Sequence, residues 1–205
     1  MTKTLVFLGR PGSGKGTQIK ELEKHLDLEV VSTGDIARDL AKNDPKIQKL
    51  LEKGNLISDD SLFSAVDQKI DSVGEAKSII FDGFPRNLVQ AEKLDEILLH
   101  HNRHLDAAIY IYLDEEEVVR RLTIRKICGK CGQPFFDQEK CPKCGGEPII
   151  RTDDNKSTII NRMQVFLERT LPLISFYESK NILIQINGKQ SIEDVAEDIK
   201  ERLGL

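Results

Sequence analysis

Leu5-Val6-Phe7-Leu8-Gly9-Arg10-Pro11-Gly12-Ser13-Gly14-Lys15-Gly16-Thr17-Gln18 is the stretch that decides the fold. Four consecutive apolar residues suit a strand buried on both faces. A glycine-rich turn follows, and a helical pattern runs near 14–26. Strand, glycine-rich turn and helix in that order are the setting of a phosphate-binding loop, with Gly12, Ser13, Gly14, Lys15, Gly16 and Thr17 as its ligand-facing residues. Glycines let backbone N–H groups converge on phosphate oxygens. The helix N-terminus adds a partial positive charge, and Lys15 adds a full one. The general pattern places Ser or Thr directly after the lysine, where its hydroxyl binds Mg2+; here Gly16 holds that place and the hydroxyl comes at Thr17. Mg2+ is therefore expected to be held mainly by phosphates and water. A turn with no ligand is the plain alternative, and the flanking strand together with Gly-Lys-Gly-Thr weighs against it.

Outward from this loop, strand-like runs at 28–31, 78–81, 107–113 and 182–186 alternate with helical stretches. Residues 35–72 read as mostly helical, with a break around Gly54-Asn55. Further helices are expected near 88–100, 115–126, 155–180 (two) and 191–203. Repeated βα units with continuous apolar strands predict an α/β fold, a central parallel sheet flanked by helices. Ligands of such sheets bind at the carboxyl ends of the strands. Residues 127–150 break the pattern and read as an inserted small unit. The expected division is a core of 1–31, 61–126 and 151–205, a helical acceptor segment of 32–60, and an insert of 127–150.

The formal net charge of −4 argues against a nonspecific nucleic-acid binder, which normally carries a basic face. No apolar run is long enough to span a membrane, and the amino-terminal residues lack the features of a secretory leader, so a cytoplasmic protein is expected.

All four cysteines lie in the insert, spaced Cys128-x2-Cys131-x9-Cys141-x2-Cys144. Paired Cys-x-x-Cys knuckles suit a tetrahedral metal, most often structural Zn2+, and Gly129, Gly132 and Gly145 allow the tight turns such knuckles need. Four thiolates leave no open coordination position, so the metal is expected to be structural. Redox thiols are the main alternative. A nucleic-acid-binding zinc ribbon fits less well with an enzyme core around it.

Two segments carry arginines toward strand ends. Ser32-Thr33-Gly34-Asp35-Ile36-Ala37-Arg38 follows the second strand, and Phe81-Asp82-Gly83-Phe84-Pro85-Arg86 follows the third, with Gln90 four residues on. Arg38 and Arg86 can each grip a phosphate through a planar fork of donors. Asp82 ends a buried strand, where a carboxylate needs a partner such as a water-shelled Mg2+. Each arginine alone reads more readily as a surface ion pair; two of them in two motifs, both near strand ends, reverse that.

These motifs, with Gly9 to Gln18 and the cysteine insert in this order, resemble the adenylate kinases, a resemblance that runs from the first strand to the last. It implies Mg-dependent phosphoryl transfer from ATP to AMP giving two ADP. It also implies a metal-binding lid of the long type found especially in bacterial members. By resemblance, Thr33 and Gln90 are associated with adenine, whereas UMP/CMP kinases more often carry Ala at the place of Thr33. Gly54-Asn55-Leu56-Ile57-Ser58-Asp59 resembles the stretch whose backbone touches the AMP base, with Ile57 packing on it. Gly83, Phe84, Pro85 and Arg86 complete the acceptor motif. Arg121 and Arg125 before the lid, and Arg151 and Arg162 after it, match positions that close on the phosphates; Asp153 and Asp154 are expected to hydrogen-bond the lid. Phe135 and Gln190 are the positions expected near the ATP base, Gln190 within Asn187-Gly188-Lys189-Gln190.

AMP's phosphate carries up to about two negative charges and needs no general base. Catalysis is then positioning and charge stabilisation, assigned to Lys15, Arg86, Arg121, Arg125, Arg151, Arg162, Asp82 and Mg2+. A closing lid excludes water and assembles the arginines. The rivals are a related kinase with another acceptor or with GTP as donor, and a zinc-dependent regulatory module without activity. A monomer is expected.

Overall fold

The computed structural model describes residues 2–205 apart from 43, 54, 56, 75, 137 and 151–154, and the side chains of 39, 61 and 156 are likewise left aside. Five parallel strands form the central sheet: β1 (Thr4–Leu8), β2 (Leu28–Ser32), β3 (Ser78–Asp82), β4 (Ala107–Tyr112) and a last strand, Leu183–Asn187, in the order β2-β3-β1-β4 followed by that last strand. β1 is central, with Val6 opposite Phe81 on one side and Ala108 on the other. Its alternation explains why an unbroken apolar run was needed. Val6 and Leu8 join one core with Ile79 and Phe81, while Leu5 and Phe7 join the other with Ile80 and Ile109. Both faces are therefore buried, as helices on both sides of a parallel sheet require.

Helices α1 (Lys15–Leu22) and α9 (Ile192–Leu203) cover the second face through Ile19, Leu22, Val195 and Ile199. On the first face pack α4 (Asp59–Val73), α5 (Leu88–His100) and α8 (Pro172–Ser179), through Val66, Leu94, Leu98 and Tyr177. α1 is shorter than the helical pattern suggested and unwinds into a turn after Leu22. The acceptor segment holds α2 (Thr33–Ala41) and α3 (Pro45–Glu52), the latter started by Asp44, whose side chain accepts from Lys46 N–H. α3 is docked on α7 (Lys156–Val165): Thr158 Oγ1 donates to Glu52 O at 2.9 Å. α7 does not stop before α8 as two separate helices. It runs into it through a π-helical turn, Phe166–Thr170.

The insert, expected to lack periodicity, folds as a small antiparallel sheet. β5 (Lys126–Cys128) lies between β6 (Pro134–Phe135) and β7 (Pro148–Ile149), which makes Leu183–Asn187 the eighth strand, β8. It leaves the core at α6 (Glu115–Ile124), whose N-terminus is capped by Asp114. From β1 the chain crosses to the β2 edge, and from β3 it crosses to β4 on the opposite side. The carboxyl ends of these adjacent strands are thus where connections diverge and open a crevice.

Candidate active site

That crevice is a cleft of about 530 Å³ between the loop after β1, the loop after β3, α2, α6, α7 and the lid. Gly12, Gly14, Lys15, Gly16 and Thr17 line its floor. Ser13 is buried in the turn behind them, 2% exposed, and its Oγ finds no hydrogen-bond partner among the described residues. Lys15 Nζ donates to Gly9 O at 2.8 Å and Arg10 O at 3.1 Å, so the ammonium is folded back onto its own loop. Burial is the largest influence on Lys15 and pulls its pKa down to about 8; Asp82 opposes the fall, and Arg86, Arg162 and Arg125 add to it. Those same four side chains line the cleft with it. The structure therefore brings Lys15, Asp82, Arg86, Arg125 and Arg162 to one place. Burial likewise lowers the pKa of Arg86, again opposed by Asp82.

Arg121 also reaches the cleft. Glu117 one turn earlier accepts its Nε–H at 2.7 Å, and Gly188 O accepts from its terminal nitrogen at 3.0 Å. Arg120 and then Arg121 hold the Glu117 carboxyl at about 2, well below the usual range. The i, i+4 spacing of Glu117 and Arg121 was the sequence signal for this anchor. Arg151, with Asp153 and Asp154, lies outside the described residues.

The acceptor side is organised around one carbonyl. Gly83 O accepts from Thr33 Oγ1 and from Arg86 Nε, both at 2.7 Å. Gly83 sits at φ 75°, and a Cβ there would come within 3.0 Å of Arg86 and 3.1 Å of Thr33, so only glycine fits. Arg86 is held along its backbone too. Its N–H donates to Gln90 Oε1 at 2.7 Å, and its carbonyl accepts from Thr170 Oγ1 at 3.0 Å. Thr170 belongs to the π-helical turn and, with Phe166, brings that turn to the cleft wall beside Arg162. Nothing in the sequence pattern marked it. π-Helical turns are often found at functional positions.

Arg38, Gly83, Pro85 and Arg86 line the cleft; Arg38 is paired with Asp35 at 2.5 Å. The residues associated with the acceptor base do not. Thr33, Ile57, Phe84 and Gln90 are buried behind the cleft, bonded or packed among themselves and their neighbours. Asn55 is exposed and accepts from Asn161 Nδ2 at 3.2 Å. Leu56 lies outside the described residues.

The two positions expected near the ATP base do not line the cleft in this arrangement. Phe135 is 4% exposed and packs with Cys128 and Cys141 in the lid's own core. Its neighbour Phe136 lines the cleft instead, with Pro134 and Gly132. Side chains alternate along a strand, so the one that fills the lid core cannot also face the cleft. Gln190 turns to α9, where its Nε2 donates to Asp198 Oδ2 at 3.0 Å, and it is absent from the cleft wall. Gly188, two residues earlier, is wedged against β4: a Cβ there would lie 2.8 Å from Ile111 Cγ2 and 2.9 Å from Tyr112 O. The lid reaches the core at α1, where Lys20 Nζ donates to Gln133 Oε1 at 3.3 Å.

The four cysteine sulfurs come within 4.8 Å of one another. Cys128 and Cys144 Sγ are 3.4 Å apart, and Cys131 and Cys141 Sγ 3.6 Å. A tetrahedron with metal–sulfur bonds of about 2.3 Å has edges of about 3.8 Å, so the cluster fits one metal ion. The knuckles share one turn: Gly132 N–H donates to Cys128 O at 2.9 Å, and Gly145 N–H to Cys141 O at 2.8 Å. Both glycines have positive φ, whereas Gly129, also expected to permit a turn, does not. Gly146 was missed; a Cβ there would come 2.6 Å from Cys128 Sγ.

A phosphate loop at the switch point of a parallel sheet, facing an arginine cluster beneath a small lid, defines a P-loop phosphotransferase. Comparison with known proteins narrows this. The adenylate kinase family profile matches residues 7–182. An adenylate kinase of Archaeoglobus fulgidus is 39% identical, over 96% of this chain and 95% of its own. Adenylate kinases of Thermotoga petrophila, at 37% identity over 100% and 98%, and of Thermoanaerobacter sp. strain X514, at 36% over 98% and 97%, are also similar. The chain belongs to the adenylate kinase family, and its reaction is phosphoryl transfer from ATP to AMP to give two ADP.

Proposed function

We propose that Lys15, Arg86, Arg121, Arg125 and Arg162 carry this reaction as a cage of positive charge, joined by Arg151 after the lid. The observation that supports this best is that Lys15, Asp82, Arg86, Arg121, Arg125 and Arg162 line one cleft. ATP's phosphates lie on the loop of Gly12 to Thr17, and AMP's phosphate is gripped by Arg38 and Arg86. Phosphoryl transfer between two anions needs charge neutralisation and in-line positioning more than proton transfer. Lys15 exchanges its two carbonyl acceptors for phosphate oxygens, which restores its charge. Arg86, fixed at its N–H, carbonyl and Nε, meets the acceptor phosphate with little reorganisation to make.

Mg2+ bound with ATP supplies further charge neutralisation. Asp82 and Thr17, oxygen donors on the cleft wall, suit its hydration shell. Phe136 replaces Phe135 as the lid residue for the ATP base. Thr33 and Gln90 select adenine at the acceptor site, which requires the 32–60 segment to move from the arrangement described. The core of 1–31, 61–126 and 151–205 stays fixed while this segment and the 127–150 lid close on it. The lid metal is structural Zn2+, because four thiolates leave no open position for chemistry. The enzyme works as a cytoplasmic monomer; among the described residues no helix is long and apolar enough to cross a membrane.

The test is turnover with ATP, Mg2+ and each of AMP, GMP, UMP and CMP, products separated by chromatography. Two ADP per ATP–AMP pair with little conversion of the others is expected. Conversion of UMP or CMP in place of AMP would refute the assignment of Thr33 and Gln90.

A further inference from the structure

Among the described residues, one group of metal-ligating side chains converges outside the lid. It consists of Asp67, His100 and His101, whose donor atoms all lie within 4.8 Å of one another. None of the three lines the cleft. Asp67 belongs to α4, His100 is the last residue of α5 and His101 follows it. Consecutive residues on a helix point about 100° apart, so neighbouring histidines ordinarily diverge. The end of α5 removes that constraint. His101 has left helical geometry, with φ −92° and ψ 18°, and the two rings stand 5.2 Å apart between centroids. The His101 backbone is fixed there, its N–H donating to Leu98 O at 3.1 Å and Ile97 O at 3.2 Å.

His101 Nε2 lies 2.9 Å from Asp67 Oδ1. The His101 ring is largely buried, Asp67 is half-exposed and His100 is exposed. One imidazole is thus already seated against a carboxylate, and the second approaches from the solvent side. An ion pair accounts for Asp67 and His101 but not for a second imidazole at the same point. Two imidazoles and a carboxylate suit a borderline divalent ion such as Zn2+. Bonds of about 2.1 Å in a tetrahedron place donor atoms about 3.4 Å apart, so the present spacing needs only a small adjustment. The exposed His100 side chain can swing to supply it. The carboxyl end of the 13-residue α5 adds a partial negative charge, which favours a cation at this place.

We propose that Asp67, His100 and His101 form a second metal site, for a zinc-type divalent ion, that staples α4 to α5. The ion takes the place of the proton between His101 Nε2 and Asp67, and the imidazole keeps its proton on Nδ1. Three protein ligands leave one position for water, so this site is open where the four-thiolate lid site is closed. α4 follows the acceptor segment and α5 follows the loop that carries Arg86, so the staple joins two helices that lead away from the acceptor site.

The experiment counts zinc by equilibrium dialysis and elemental analysis, in the whole enzyme without nucleotide and in a non-coordinating buffer. Wild type should bind one zinc per chain more than His100→Ala or Asp67→Asn. Loss of an outer partner of a metal ligand costs about tenfold to a hundredfold in affinity, so loss of a ligand should weaken this site at least tenfold. Added Zn2+ should raise Tm in wild type and not in either variant. The result is a difference between proteins that share one lid, so it does not depend on what the lid holds. His100 is exposed, so His100→Ala should fold as wild type does. His104→Ala, which removes an exposed histidine outside the group, should keep the extra ion. Equal zinc counts in wild type and His100→Ala, whether or not both bind an extra ion, would overturn the proposal. So would an extra ion that survives Asp67→Asn undiminished or is lost in His104→Ala.

Discussion

Lys15 should take up a proton when ATP binds. Its pKa in the empty cleft lies near 8, against 10.5 for a free lysine, because burial disfavours the ammonium and Asp82 only partly offsets burial together with the repulsion of three arginines. Triphosphate oxygens reverse that balance and return the pKa well above 9. The protons gained on binding then follow the fraction of empty enzyme that has lost its own. That is about 0.1 at pH 7, about 0.5 at pH 8 and about 0.9 at pH 9. Calorimetry of MgATP binding in buffers of different ionisation enthalpy reads these values directly. The same pKa should appear as a basic limb near pH 8 in kcat/KM for ATP, which reports the free enzyme, and be absent from kcat, which reports the bound one. Asp82→Asn removes the group that, among the described residues, raises the Lys15 pKa, so the limb should move to lower pH by about one unit. Uptake at pH 7 should then rise to about 0.5. Uptake near zero at pH 8 and 9 would show that Lys15 keeps its proton in the empty enzyme. An unmoved limb in Asp82→Asn would show that Asp82 does not support its charge.

The sign for stability follows. The folded-state pKa is lowered, so below about pH 8 the empty enzyme bears the full cost of burying a charged Lys15. As pH rises from about 8 toward 10.5 the unfolded chain holds more protons than the folded one. This group's contribution to stability therefore increases with pH.

Three further outcomes are expected. Thr170→Val keeps the shape but leaves the Arg86 carbonyl without its donor. KM for AMP should rise several-fold with KM for ATP unchanged, and Tm should fall by about 2–4 °C, as expected for a loss near 1 kcal/mol. Equal changes for both substrates would argue against a role through Arg86. Elemental analysis should find one zinc per chain. Stripping it with a strong chelator should release the lid in a separate early transition, seen as fast hydrogen exchange in β5 to β7 while β1 stays protected; a single unchanged transition would contradict a metal-held lid. Tyr177→Phe should be neutral or stabilise by about 1 kcal/mol, because the buried Tyr177 hydroxyl has no hydrogen-bond partner among the described residues. A clear loss of stability in denaturant titration would mean that hydroxyl is satisfied after all.

The parts of this enzyme legible in its sequence are those written in local spacing. The unbroken Leu5 to Leu8 run announced a strand buried on both faces, and the structure puts its alternate residues into two separate cores. Glycine spacing placed the phosphate loop, and Cys-x-x-Cys repeats placed the metal cluster, because both depend on turns only a few residues long. The misses have a common cause. Phe135 and Phe136 are adjacent and chemically identical, and only the point where β6 ends, at Phe135, decides which faces the cleft. Thr170 and Gly188 act through partners 84 and 67 residues away. No window of sequence contains both ends of such a contact. Arg86 could thus be picked out as a phosphate ligand from its own motif, while the groups that aim it could not. The gap matters because catalysis by a cage of charges depends on aim: about 1 Å of misplacement can cost about a hundredfold in rate. The Arg86 backbone and Nε are tied to Gln90, Thr170 and Gly83 on three sides, and Gly83 in turn is tied to Thr33. Residues of the acceptor segment, α5 and the π-helical turn therefore meet at one arginine. A substitution at any of them should be felt first as a change in how AMP is held.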